Sequence, residues 1–286
     1  MKALLSVFTA AILLAIFTSF QPANKWENLL DRKMSKWDTY LSFKHTDGDK
    51  GEVPKDAAGH NISPVGYNKD TAHVFSIVME GGEPVLRISG EIYGCVFTKQ
   101  DFGNYHLRLK VRWGDKKYVP RLHDYKDSGV LYNSQGEAGV DYWHSWMLAQ
   151  EFQVGEGTTG DRWAIAAAHA DIRATKRPDT TTYIFNPKGE LRDLGGYCQA
   201  SGVFESKGEH AWTQLDLICY EGKSLHIVNG HVIMALQNSR YKIGDEFKPL
   251  THGKIQLQSE AAEVFYKDIQ IRHIDDVPAA YRSYFN

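Results

Sequence analysis

From His73 to Ile274 the chain alternates apolar and polar residues in short runs, broken by glycine-rich turns. Alternation of this kind marks half-buried strands, because successive side chains leave a strand on opposite faces. "NYHLRLKVRWG" is the cleanest case. Tyr105, Leu107, Leu109, Val111 and Trp113 share one face, and His106, Arg108, Lys110 and Arg112 share the other. "MLAQEFQVGE", from Met147 to Glu156, alternates as well: Glu151 and Gln153 fall on one face, and Leu148, Gln150, Phe152 and Val154 on the other. Glu156 lies five residues past Glu151 and is out of phase with it. A β-bulge at Gly155 would return it to the same face, setting two carboxylates and an amide on the floor of a groove.

Asn229-Gly230, between "LHIV" and "HVIMAL", is a two-residue hairpin signal. Long helical periodicity is absent after the N-terminal segment, so frequent strands and Gly-rich turns predict an all-β sandwich or jelly roll. His45 to Tyr67, containing "TDGDKGEVPKD", reads as a long loop. The less regular stretch from about Ile172 to Glu209 reads as a large insertion or loop beside the sandwich. With no linker and no repeat, residues 24–286 read as a single domain.

Composition narrows the options. Met1-Lys2, an apolar run from Ala3 to Phe20 and then Gln21-Pro22-Ala23 resemble a secretory signal peptide over residues 1–23, with a retained membrane anchor as the alternative. The expected location is periplasmic or secreted. A net charge of −2 and a pI near 6.6 argue against a nucleic-acid partner held by bulk charge. Cys95, Cys198 and Cys219 are too few and odd in number for a disulfide framework. Cys198 and Cys219 could pair after export, or all three could be small buried hydrophobes. Tyr142, Trp143 and Trp146 form either a sugar-stacking platform or a packed loop, and His144 reads as a loop histidine. His169 and Asp171 could meet a divalent cation, although no ligand spacing fixes one. The oligomeric state is open.

"FGNYHLRLKVRWG", "DSGVLYN", "SWMLAQEFQVGEGTTGDRWAI" and "GKIQLQSEAAEVFYKDIQIRHI" resemble the 3-keto-disaccharide hydrolase domain family, DUF1080, over roughly residues 26 to 274. The resemblance implies a concanavalin A-like jelly roll of two curved antiparallel sheets with a groove on the concave one. It also implies an exported enzyme acting on glycosides already oxidised to a ketone at sugar carbon 3. The family's Arg, Asn-Ser-Gly and Glu-x-Gln pattern falls on Arg112, Asp127-Ser128-Gly129 and Glu151-x-Gln153, with Asp127 in place of the usual Asn; its late Gln falls on Gln258, beside Glu260. Expected catalytic residues are Glu151, Arg112 and Glu156, with Arg112 holding an enolate oxygen. Expected substrate contacts are Gln153, Gln258, Glu260, Ser128, Tyr132, Trp143 and Trp163, and the expected partner is an oligosaccharide or glycoside.

Glu151-x-Gln153-x-x-Glu156 is also similar to the Glu-x-Asp-x-x-Glu strand of jelly-roll endoglucanases. Gln153 cannot ionise as that central Asp does, which counts against ordinary glycosidase chemistry. A non-catalytic, lectin-like module is the third reading, since jelly rolls host both kinds of protein.

Overall fold

The structure, a computed structural model, describes residues 25–178 and 180–285. The apolar segment behind the signal-peptide reading lies outside the described residues. Among the described residues no helix is long and apolar enough to cross a membrane.

The chain is an all-β jelly-roll sandwich. In one sheet the neighbours run Gly66–Tyr67, Trp37–Leu41, Gly94–Thr98, Lys254–Ser259, Asp127–Gln135, Leu148–Gly155 and Arg162–Ile165, all antiparallel. The second sheet begins with Phe75–Glu80, Glu83–Ile88, Ala262–His273, Tyr105–Lys117 and Thr213–Tyr220. It continues through Lys223–Val228, His231–Ile243, Ala168–Lys176 and Glu190–Leu194. Cys198–Gln199 links the two at one edge, pairing with Arg162 and, in parallel, with Tyr183–Phe185.

The inward faces obey the alternation. Val130, Phe152, Val154 and Leu257 of the first sheet meet Leu107, Leu109, Leu217, Val228 and Leu236 of the second in one core. Burying each such side chain stabilises the fold by about 1.5–3 kcal/mol. Asn229 and Gly230 both take positive φ, 46° and 82°, and turn the chain from Val228 to its partner His231. A type I′ hairpin needs this conformation, and Asn-Gly supplies it at least cost.

A second apolar cluster lies on the other face of the first sheet. There Tyr40, Cys95, Phe97 and Leu131 are covered by Trp143, Trp146 and Met147. Asp141 ties that covering loop down by accepting backbone N–H groups of Trp143, Ser145 and Trp146 at 2.8, 2.8 and 2.7 Å. Trp146 Nε1 donates to Gly94 O at 2.8 Å. Half of the face is thus walled off, and the polar half of the same strands stays open.

One expectation is corrected. The stretch after Ile172 is no large loop: it contributes Tyr183–Phe185, Glu190–Leu194 and Cys198–Gln199 to the sheets. Its short strands were hidden by intervening turns. Of the two readings of the cysteines, the structure shows the second: all three thiols are free and buried, and Cys198 and Cys219 do not pair.

Candidate active site

Parity in the Leu148–Gly155 strand sends Glu151 and Gln153 to the open face, while Phe152 and Val154 enter the core. Across the sheet, Glu151 stands opposite Leu131 on one side and Trp163 on the other, and Gln153 stands opposite Gly129. Gly129 is the space that makes the arrangement possible. A Cβ there would come within 2.2 Å of Glu151 Oε1 and 2.4 Å of Gln258 Oε1. The two polar heads therefore lie directly over the bare backbone.

The loop leading into the Asp127–Gln135 strand delivers Arg121. Its guanidinium donates from Nη1 to Asp127 and pairs through Nη2 with Glu260 Oε1 at 2.6 Å. Gln153 Nε2 donates to the other Asp127 oxygen at 2.8 Å. Glu260 follows directly on the Lys254–Ser259 strand that carries Gln258. These six side chains line a cavity of about 260 Å³. Gln258 Oε1 is buried there without a hydrogen-bond partner.

The cavity holds more acid than base. Burial pushes the Glu151 carboxyl well above the usual carboxylate range, and the neighbouring Glu260 and Asp127 push it further. No described group hydrogen-bonds to the Glu151 carboxyl. Burial also raises Glu260, to about 8, against the pull of Arg121. Asp127 is raised by burial, opposed by the charge and hydrogen bond of Arg121 and by Gln153. Burial opposes the charge on Arg121, but Glu260 and Asp127 more than offset it and hold the guanidinium ionised. One buried cation supports one anion well. Of the three carboxyls, Asp127 has the most donors and the lowest ordinary value, so it is the resident carboxylate, and Glu151 is the resident neutral acid.

Several sequence expectations are redistributed. Arg112 is not in the cavity. It alternates with core-facing Val111 and so lies on the outer face of the second sheet, paired with Glu80 and stacked 4.7 Å from the rings of Trp212 and Phe265. Glu156 is not returned by a bulge. Pairing is regular up to Asp127↔Gly155, the chain then turns, and Glu156 pairs at 3.4 Å with Lys126.

Ser128 and Tyr132 have the wrong parity for the cavity. The Ser128 hydroxyl bonds Gln258 O and Tyr266, and Tyr132 bonds Ser224 and His226 inside the core. Trp143 is packed in the covering loop against Tyr93 and His45. His169 and Asp171 are engaged by Asp193 and Arg240 rather than converging on a cation. Trp163, Gln153, Gln258 and Glu260 do line the cavity with Glu151. Arg121 escaped the sequence reading because it sits in an irregular loop with no period. The resemblance marks Asp127 but gives it no role; it precedes Gly129 by two residues and therefore shares its face.

A second cavity, about 630 Å³, adjoins the first and shares Arg121, Asp127, Gln153 and Trp163 with it. Among the described residues, Asp115, Glu209 and His210 bring ligand atoms within 4.8 Å of one another, but they are exposed and line neither cavity.

A family model described as 3-keto-alpha-glucoside-1,2-lyase-like domain matches residues 25–272. No curated protein sequence matches the chain. Solved structures with a similar course include a protein from Parabacteroides distasonis ATCC 8503, provisionally assigned as a glycosyl hydrolase. It has 15% identity and a TM-score of 0.47, covering 88% of this chain and 100% of that one. LamAcat from Zobellia galactanivorans has 9% identity and a TM-score of 0.42, covering 88% and 97%. The carbohydrate binding module CBM66 from Bacillus subtilis has 7% identity and a TM-score of 0.40, covering 69% and 91%.

Proposed function

Since the chain belongs to the 3-keto-alpha-glucoside-1,2-lyase-like family, a carbohydrate-active group, we propose that its cavity cleaves 3-keto-glycosides by elimination followed by hydration. A ketone at carbon 3 acidifies the proton on carbon 2. Asp127, held by Arg121 and Gln153, takes that proton. The electron pair of the C2–H bond becomes the C1=C2 double bond, and the C1–O bond to the leaving group breaks. Glu151 gives its proton to the departing oxygen. Arg121 faces the negative charge that develops on the ketone oxygen. Water then adds its hydroxyl to carbon 1 and gives its proton to Glu151, while Asp127 returns a proton to carbon 2, so both residues are restored and the sum is hydrolysis. Gln258 Oε1, an acceptor with no partner, is free for a sugar hydroxyl.

The observation that carries this reading is the split between two carboxyls. Glu151 is buried with no described hydrogen-bond donor, and burial holds its carboxyl well above the usual range, while Asp127 is clamped to a cation. Environments that push two carboxyls apart assign an acid and a base. Elimination needs both, together with an oxyanion partner.

The test is to incubate the protein in parallel with a 3-keto disaccharide and its unoxidised parent. Cleavage of the ketone alone is expected. Cleavage of both would favour conventional glycoside hydrolysis, and binding of either without cleavage would favour a lectin.

A further inference from the structure

Resting on that reading, we infer that the outer cavity is a subsite for a sugar leaving group, with Trp163 as its platform and with Asp161 and Tyr197 as the residues that position it. The inner cavity, about 260 Å³, falls just short of the roughly 300–1,000 Å³ usual for small-molecule sites. It takes one ring. The outer cavity, about 630 Å³, lies well within that range. The side chains common to both, Arg121, Asp127, Gln153 and Trp163, mark where a bond joining two rings would cross. Trp163 stands opposite Glu151 in the sheet register, so its indole adjoins the proposed proton donor.

Trp163 is built as a surface to be used. It is 42% exposed, yet a second ring of the same cavity packs against it. Tyr197 lies against it at 4.7 Å between ring centroids, inclined by 44°. The Tyr197 hydroxyl donates to the carboxylate of Asp161, which is itself buried. The other Asp161 oxygen accepts the Ala200 N–H at 2.7 Å. A buried carboxylate is a costly way to fix an exposed ring if the ring only fills surface. It is reasonable if the ring must be in place before a ligand arrives, because a pre-formed platform avoids the ordering cost on binding. His123, Lys126 and Thr158 line the same cavity. An apolar plate beside hydroxyl-binding groups suits a pyranose, which offers a C–H face and a rim of hydroxyls. A short alkyl leaving group would use neither.

The measurement compares kcat/KM for a 3-keto disaccharide with that for the methyl 3-keto-glycoside of the same sugar. In Trp163→Ala the disaccharide-to-methyl ratio should fall about tenfold, the order expected for losing one aromatic contact made by a remote part of the substrate. In Tyr197→Phe, which keeps the ring and loses the tie to Asp161, the ratio should fall less, through a raised KM for the disaccharide. A ratio unchanged in Trp163→Ala overturns the subsite. If the wild-type protein cleaves neither substrate, the elimination reading fails, and calorimetric titration with the 3-keto disaccharide decides the subsite separately. Weaker binding to Trp163→Ala than to wild type supports it. Equal affinity, or no binding to wild type, overturns it.

Discussion

Glu151 and Arg121 are two buried ionisable residues that the fold treats in opposite ways. The Glu151 carboxyl lies over Gly129 with no described donor, so its charge has nothing to rest on. Substituting Glu151→Gln keeps the shape and removes the transferable proton. Turnover of a 3-keto disaccharide should fall by about 10²–10⁴, the usual worth of a positioned acid or base, while the thermal midpoint holds or rises. Turnover within threefold of wild type would remove Glu151 from the mechanism. Arg121 behaves differently because two carboxyls depend on it. Arg121→Met leaves the Asp127 carboxylate buried without its counter-charge, and losing one partner of a buried pair typically costs about 3–5 kcal/mol. Chemical denaturation at neutral pH should show that loss, and adding Asp127→Asn should recover part of it. Equal stability of Arg121→Met and wild type would show that the ion pairs carry no weight.

At the scale of the strand, the site depends on one small residue. Gly129 lies within the Asp127–Gln135 strand and does not have a positive φ, so alanine fits its backbone. The atoms nearest the added methyl are the ends of two flexible side chains, Glu151 and Gln258. Both can move aside, but then neither occupies its present position. Gly129→Ala should therefore fold with a midpoint near wild type and lose about a hundredfold in kcat/KM, as an ångström-scale misplacement does. A large loss of stability with retained specific activity would contradict this.

The strand scale is also where sequence could be read. The alternation at Leu107–Val111 and Phe152–Val154 and the Asn229-Gly230 turn follow from local chemistry, and the structure shows each of them. Placing Arg112 beside Glu151 failed because the resemblance matched a strand-ending Arg, which says nothing of which sheet bounds the cavity. Glu156 failed because a bulge at Gly155 and a turn at Gly155 look alike in sequence, glycine serving either. Arg121 had no signal, since a loop imposes no period on its side chains.

For the whole molecule, the buried ionisable groups set a stability profile with two limbs. His226 is locked between Gly160 O at 2.9 Å and the Tyr132 hydroxyl at 3.0 Å, with its ring stacked on Phe152. Burial holds it down to about 3, from an ordinary 6.5. The unfolded chain takes up a proton below 6.5 that the folded chain refuses, so stability falls as pH drops from 6.5 towards 3. Glu260 is the reverse case. Its folded value of about 8 lies above the ordinary 4.5, so the folded state keeps a proton that the unfolded state has released. Its contribution is fully present below 4.5 and is lost as pH rises to 8, and the raised Glu151 acts in the same direction. Between 4.5 and 6.5 the two limbs oppose each other. Stability should therefore be greatest on the acid side of neutrality, falling in either direction by up to about 1.4 kcal/mol per pH unit for each proton involved. Denaturant unfolding from pH 4 to 9 measures the profile. Glu260→Gln should flatten the alkaline limb and leave the acid limb intact. An alkaline limb equally steep in that variant would mean that Glu260 is ionised well below pH 8, and the assignment of Asp127 as the resident carboxylate would fall with it.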